Sequence, residues 1–469
     1  MSARRRWLLL AGQAGLATVA LPGLAALAAL DAGAAEPTLS DSTAADAAAA
    51  ATAAATAAEA AAAPTPAAAD QRAHPAGADR PAEDRITPGR ALAFPRDHGA
   101  HPGARIEWWY ATGWLQGAAP GAGLIGFQLT FFRSRTGLAQ ALPGRFAPRQ
   151  LLFAHAAVSD IAGKKHRHAQ RISRWSGDET LADAHALRAD TAVALGRWTL
   201  RRQPDGGYRA LLAAPEAAFT LDLQLQATQP LLLQGQAGYS RKGPAPGQAS
   251  HYYSVPQLVV SAQLALDGKR QPLAGRGWLD HEWSDDLLAS GDNHANHANA
   301  ANGDNLANHA NAASGANRAN HANAASSANR ADVATGWDWI GINLADGGAL
   351  TAFVLRRADA SVLWAGGSHR PAGGAVRDFL PGDVVFTPLR YWASPATGVR
   401  YPVQWRIRCP AGTFELRALL DAQELDSSAS TGLVYWEGLA ELLNADGARI
   451  GLGYLEMTGR GRPLRLGLW

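Results

Sequence analysis

Residues 275–284, GRGWLDHEWS, concentrate groups able to do chemistry. Asp280, His281 and Glu282 stand together between two indoles, Trp278 and Trp283. Read as a short strand, period-two alternation sends Trp278, Asp280 and Glu282 to one face and His281 and Trp283 to the other. A carboxyl among aromatic rings loses its hydration, which is costly unless it is hydrogen-bonded, paired or protonated. Two roles follow for Asp280. It either ties down backbone N–H or Arg groups, or it holds a proton near neutral pH and acts as a general acid.

The elements around this stretch read as β-structure. Residues 107–114 (EWWYATGW) and 123–133 (GLIGFQLTFFR) are strand-like and separated by a Gly/Pro loop of hairpin length. Alternating segments recur at 151–160, 196–202, 208–212, 219–225 and 251–256. After residue 334 the pattern returns, with TGWDWIGINL at 335–344, a Gly turn, and an apolar segment ending in Arg356 and Arg357. A Trp-rich strand, a Gly turn and an apolar strand ending in arginine occur in both halves, which suggests an internal duplication. Short strands with frequent turn signals indicate sandwiches or barrels rather than βαβ units. The expectation is an all-β chain of two antiparallel barrels, 94–284 and 335–469.

Composition excludes several classes. Cys409 is the single cysteine of the 469 residues, so the chain can form neither an internal disulfide nor a cysteine metal cluster. A net charge of +3, without a basic stripe interleaved with aromatics, gives no nucleic-acid partner. Nucleophile-elbow, P-loop and dinucleotide-binding signatures are missing. Residues 1–35 read as an export signal: Arg4, Arg5 and Arg6 precede an apolar run and small residues, a pattern resembling a twin-arginine leader. That predicts a periplasmic or secreted protein, with an N-terminal membrane anchor as the alternative. Residues 36–93 form an Ala/Pro-rich tether expected to be disordered. Residues 285–334 hold an Asn/His/Ala low-complexity insertion with His294, His297, His309 and His321. It lacks Cys and nearly lacks acids, so a surface loop is expected there and no metal site. His98, His101 and His155 also lack ligand spacing.

Several ordered strings stand out: HPGARIEWWYATGW at 101–114, GFQLTFFR at 126–133, HYYSVPQL at 251–258 and GWLDHEW at 277–283. In the second half they are WDWIG at 337–341, YPVQW at 401–405, YWEG at 435–438 and GYLEMTG at 453–459. Together they resemble one family, the AttH-type lipocalin-like proteins that include the acyclic carotenoid 1,2-hydratases. The resemblance implies two lipocalin-like β-barrel domains, export, a hydrophobic isoprenoid- or lipid-like ligand, and no cofactor. It also allows a role beside an envelope transporter. From the hydratase branch it implies catalytic roles for Asp280, Trp278, His251 and Tyr253, the branch having its two aromatics exchanged.

Those residues suit water addition to an alkene. Asp280 would protonate carbon, the Trp278 and Tyr253 rings would face the resulting cation, and His251 would orient the water or take its proton. A barrel interior would be the dry cavity. Trp108, Tyr110 and Trp283 are candidate ligand-wall aromatics, with core packing as the alternative. Three functions are therefore in play: a carrier of an apolar ligand, a cofactor-free hydro-lyase, and a structural component.

Overall fold

A computed structural model describes residues 81, 84–137, 140, 142, 144–285, 287 and 333–464. The export signal, most of the tether and the histidine-bearing repeat lie outside the described residues. Packing begins upstream of Phe94: Asp84 is buried and accepts bonds from the Gly103 N–H at 2.7 Å and from Arg96 at 3.3 Å.

The first sheet opens with β1 (Ile106–Gln116), β2 (Leu124–Arg135), β3 (Gln150–Asp160) and β4 (Lys165–Trp175). Shorter strands follow: β5 (Ala184–Ala186), β6 (Ala192–Leu195), β7 (Trp198–Arg202) and β8 (Tyr208–Ala214). Next come β9 (Phe219–Gln226), β10 (Leu232–Leu233) and β11 (Tyr239–Arg241), then two long strands, β12 (Ala249–Leu266) and β13 (Lys269–Ser284). The second sheet holds β14 (Gly336–Leu344), β15 (Ala349–Arg356), β16 (Val362–Arg370), β17 (Arg377–Phe379) and β18 (Val385–Ala393). It closes with β19 (Arg400–Cys409), β20 (Gly412–Ala418), β21 (Glu424–Ser427), β22 (Leu433–Leu443) and β23 (Arg449–Met457). Helical structure among the described residues is limited to short 3₁₀ turns such as Arg96–His98.

All strand pairs among the described residues are antiparallel. In the first sheet the order is β4-β3-β2-β1-β13-β12-β9-β8-β7-β6-β5, and β4 lies back against β5 and β6, so the sheet nearly closes. The second runs β17-β16-β15-β14-β23-β22-β20-β19-β18. In both, the first strand pairs with the second strand on one side and the last on the other. That shared connectivity is what a duplicated unit would leave.

Alternation decides what each face does. Trp109, Ala111, Phe127, Leu129, Leu200, Leu223 and Leu279 fill the inside of the first barrel, and Ile340, Ile342, Leu350, Val403, Trp436 and Leu455 that of the second. A third apolar cluster lies between the sheets, built on Tyr110, Trp278, Trp339, Phe353, Leu439 and Tyr454. Glycine makes this junction possible at Gly341, where a Cβ would stand 2.4 Å from the Trp339 ring and 3.1 Å from that of Trp278. Gly275 has a related role within the first sheet, its missing Cβ leaving room for the Trp114 carbonyl. The β12 bulge between Val255 and Leu258 puts Gln257 at φ 56°, a costly conformation for a residue with a Cβ. There its N–H meets Asn343 Oδ1 at 2.7 Å and its amide meets the Leu344 and Gly348 carbonyls, tying the sheets together.

Candidate active site between the sheets

Strand β13 divides its side chains by parity, as the sequence predicts. Trp278, Asp280 and Glu282 point to the junction between the sheets, and His281 and Trp283 point into the first barrel. The register places Ser254 opposite Asp280, Tyr252 opposite Glu282, Tyr253 opposite His281 and His251 opposite Trp283. Cross-strand partners share a face, so Asp280 has Tyr252 and Ser254 beside it. Tyr253 and His251 lie on the other side of the sheet. The expected grouping of Asp280 and Trp278 with His251 and Tyr253 is therefore corrected: one residue of register separates the two pairs.

Asp280 is buried and its contacts are side-chain donors. Tyr252 donates to Oδ2 at 2.8 Å, Trp278 Nε1 donates to Oδ1 at 2.7 Å, and the Ser254 hydroxyl adds a third bond. Trp339 Nε1 in turn donates to Tyr252 Oη at 3.2 Å, so a residue of the second sheet fixes the direction of that hydroxyl. Burial pushes the Asp280 carboxyl up to about 7, against the pull of the three donors and with help from the neighbouring Glu282 charge. The anchoring role has little support in these contacts, which include no guanidinium.

Next to Asp280 is a cavity of about 70 Å³, walled by Trp108, Tyr110, Phe132, Tyr252, Trp337, Trp339 and Phe353. Asp280, Glu282, Glu437, Glu456 and Lys242 supply its ionisable groups. A second cavity of about 60 Å³ continues it, sharing Trp108, Phe132, Trp337, Tyr435 and Glu456 as wall residues. Lys242 bonds Glu282 at 2.9 Å and lies over the rings of Tyr252 and Phe353, so that acid is neutralised inside the site. Burial lifts Glu456 to about 7, with the charges of Asp280 and Glu282 adding to the rise, and burial together with the neighbouring Glu456 lifts Glu437 well above the usual carboxylate range. Tyr110, Tyr252, Tyr435 and Tyr454 are held neutral, their phenol pKa values raised by burial.

The barrel interior, expected to be the cavity, is instead filled. At its end lies a polar network centred on Glu107, which receives Arg133 Nε at 2.7 Å, His101 Nδ1 at 2.8 Å and His281 Nε2 at 3.0 Å. Burial opposes a charge on Glu107, but Arg133 and His101 outweigh it and hold the carboxyl well below the usual range. His101, Glu107 and His281 stand close enough to share a metal. Arg133 already occupies Glu107, and the other His101 nitrogen is bonded to Asp97 at 3.0 Å. Such a set acts as a hydrogen-bonded plug, poorly suited to a cation.

Tyr253 belongs to the plug, 2.8 Å from His98 Nδ1 and 3.2 Å from His281 Nδ1. His251 packs nearby, its pKa lowered to about 4 chiefly by burial and by Arg90. Trp283 stacks on His101 at 3.7 Å and so is not a ligand wall at the junction cavity. Trp108 and Tyr110 do line it. Of the seven expected site residues, Asp280, Trp278, Trp108 and Tyr110 come together; His251, Tyr253 and Trp283 form a separate interior group.

Tyr252, Lys242, Trp339, Glu437 and Glu456 were not among the expected residues. A signal for the two glutamates was present: Trp278-Leu-Asp280 recurs as Tyr435-Trp-Glu437 and Tyr454-Leu-Glu456. The register sharpens it, because Tyr110 faces Asp280 in the first sheet as Trp339 faces Glu456 in the second.

A sequence profile of the AttH-like family matches residues 85–296 and 318–460. A protein from Nitrosomonas europaea assigned as AttH has a crystal structure that superposes with a TM-score of 0.66 at 41% identity, covering 80% of this chain and 99% of that one. Kievitone hydratase from Nectria haematococca shares the fold, with a TM-score of 0.53 at 13% identity over 78% of this chain and 93% of its own. Among curated proteins, none matches the sequence.

Proposed function

The chain belongs to the AttH-like family, and from that premise we propose that it binds an apolar, alkene-bearing molecule between its sheets and adds water to it. The observation that carries this reading is a fully buried carboxyl, Asp280, titrating near neutrality beside an aromatic-walled cavity. Hydration of a branched alkene needs a proton for one carbon, an environment that tolerates a cation on the next, and a group that takes a proton from water. Carboxyls near neutral pKa serve the first and third needs. The rings of Trp108, Trp339 and Tyr252 serve the second, a desolvated cation over such a ring gaining ~2 kcal/mol or more. The paired cavities are small and narrow, which suits one branched end of a longer apolar chain, and an isoprenoid terminus has that shape. Kievitone hydratase bears a hydratase name on this fold, which is consistent with the reading.

Incubation with an acyclic carotene in ¹⁸O-labelled water tests it. Wild type is expected to give a labelled alcohol, and Asp280→Asn to give it roughly 10²–10⁴-fold more slowly. Equal product from both, or none from wild type, overturns the hydratase reading. Native mass spectrometry of the same samples separates catalysis from carriage, since a pure carrier retains the carotene unchanged. We further propose that residues 1–35 direct the protein out of the cytoplasm. N-terminal sequencing of periplasmic material checks this, and an intact Met1 in the membrane fraction would favour the anchor.

A further inference from the structure

Glu437, the acid of the YWEG string at 435–438, has no role in the Asp280 chemistry. It sits on β22, buried, with the hydroxyls of Tyr110 and Tyr435 approaching its carboxyl. Even so, Tyr110 Oη and Glu437 Oε1 complete no hydrogen bond of normal geometry, leaving two buried polar atoms unmatched at the cavity wall. Unmatched buried polar atoms are costly and mark a place where something else is meant to bond.

Behind Tyr435 runs a string of hydrogen bonds toward the surface. Tyr435 Oη is 2.8 Å from His155 Nδ1, His155 Nε2 is 2.9 Å from Ser430 Oγ, and Ser430 Oγ is 2.5 Å from Gln170 Oε1. The Gln170 amide is oriented by its NH₂ group, which donates to the Asp426 carbonyl at 3.0 Å. That fixes the direction of every proton in the string. Gln170 Oε1 only accepts, so Ser430 donates to it and accepts from His155 Nε2–H. Burial keeps His155 neutral, its pKa lowered to about 3, so its Nδ1 has a lone pair and accepts from the Tyr435 hydroxyl. Tyr435 then has no proton left for Glu437, and a bond between them needs the proton to come from the carboxyl.

Resting on the hydratase reading, we propose that Glu437 holds the proton this site delivers to carbon, with Tyr435, His155 and Ser430 as the string that leaves the Tyr435 oxygen free to accept from it. Asp280 becomes its counterpart. Its oxygens already receive Tyr252, Trp278 and Ser254, a pattern that suits a carboxylate taking a proton from water. The steps balance: the alkene π pair bonds the Glu437 proton, water oxygen bonds the adjacent carbon, and the proton released from that oxygen passes to Asp280. The product is the alkene plus one water, with Glu437 ionised and Asp280 protonated. Asp280 then releases its proton, and Glu437 takes one from water entering the cavity. Tyr110, Tyr435, Tyr454 and Glu456 face Glu437 directly, and Glu282, Lys242 and Asp280 complete the charges of the same cavity.

Infrared difference spectroscopy on the full chain tests this without a substrate. Wild type minus Glu437→Gln at pH 7 is expected to show a protonated-carboxyl band that moves in D₂O. A carboxylate band in its place overturns the proposal. Tyr435→Phe, close in shape, removes the acceptor for that proton and is expected to keep the band but shift its frequency, and an unmoved band removes Tyr435 as the partner. With an acyclic carotene, Glu437→Gln should lose turnover. Activity in wild type that survives in Glu437→Gln sinks the donor role while leaving the hydratase reading intact. Conversely, a wild type without activity ends the hydratase reading, and the infrared result still decides where the proton is held.

Discussion

Tyr252 controls how readily Asp280 ionises. Its hydroxyl bonds Oδ2 at 2.8 Å, and a bond to a charged acceptor is worth roughly 1.5–3 kcal/mol, equivalent to a pKa change of about one unit or more. Tyr252→Phe removes a donor that favours the carboxylate, so the Asp280 pKa rises further above about 7. If Asp280 must be ionised to act, the rising limb of the pH–rate profile is expected to move upward by about one pH unit. A profile that stays in place would mean that Asp280 does not set this limb. At this scale the sequence was legible for Asp280 and Trp278, whose face follows from counting by two along one strand. Tyr252 was hidden behind Tyr253 because the pairing of β12 with β13 depends on a bulge at Gln257, and nothing in the letters HYYSVPQ fixes that register.

The two faces of the first sheet look onto two environments, and each responds oppositely to change. Inside the barrel, Glu107 is charged and matched by Arg133. Arg133→Ala leaves that carboxylate buried without its guanidinium partner and is expected to destabilise the protein by about 3–5 kcal/mol in denaturant titration. At the junction the carboxyls are burdened by ionisation instead. Glu456 has a folded pKa raised from 4.5 to about 7, so its stabilising protonated form is fully present below about pH 4.5 and lost as pH rises through 7. Glu456→Gln removes that loss. The variant is expected to melt above wild type at pH 8, by an increment of at most about 3 kcal/mol, and not at pH 4. An equal difference at both pH values would show that ionisation of Glu456 costs the fold nothing. The strands themselves were largely readable from aromatic alternation and Gly turns. What alternation alone could not say was which face of a Trp-rich strand looks inward, since both faces of β1 are apolar: Trp109 enters the barrel while Trp108 and Tyr110 meet the other sheet.

The two sheets behave as one unit because the candidate site belongs to neither alone. Asp280, Tyr252 and Tyr110 come from the first half, and Trp339, Glu437 and Glu456 from the second. The halves are further joined by Gln257 to Asn343, by Asn343 Nδ2 to the Gly277 carbonyl at 3.0 Å, by Arg370 to Gln229 at 2.6 Å and by His155 to Tyr435. Separating them would expose Trp278, Tyr110, Trp339 and Phe353, an apolar patch too large to remain in water unaccompanied. Cutting the chain within residues 292–331, while keeping every described strand, therefore leads to a definite expectation. The two pieces made together should co-purify and restore the infrared signature of Glu437, whereas the first piece alone should aggregate or bind apolar dyes. Two soluble, non-associating pieces would mean that each barrel is self-sufficient and that the junction is not a built site. The shared strand order gives this outcome its meaning: β13 of the first sheet and β22 and β23 of the second each carry an aromatic-x-acid string, and the proposed chemistry needs both sheets.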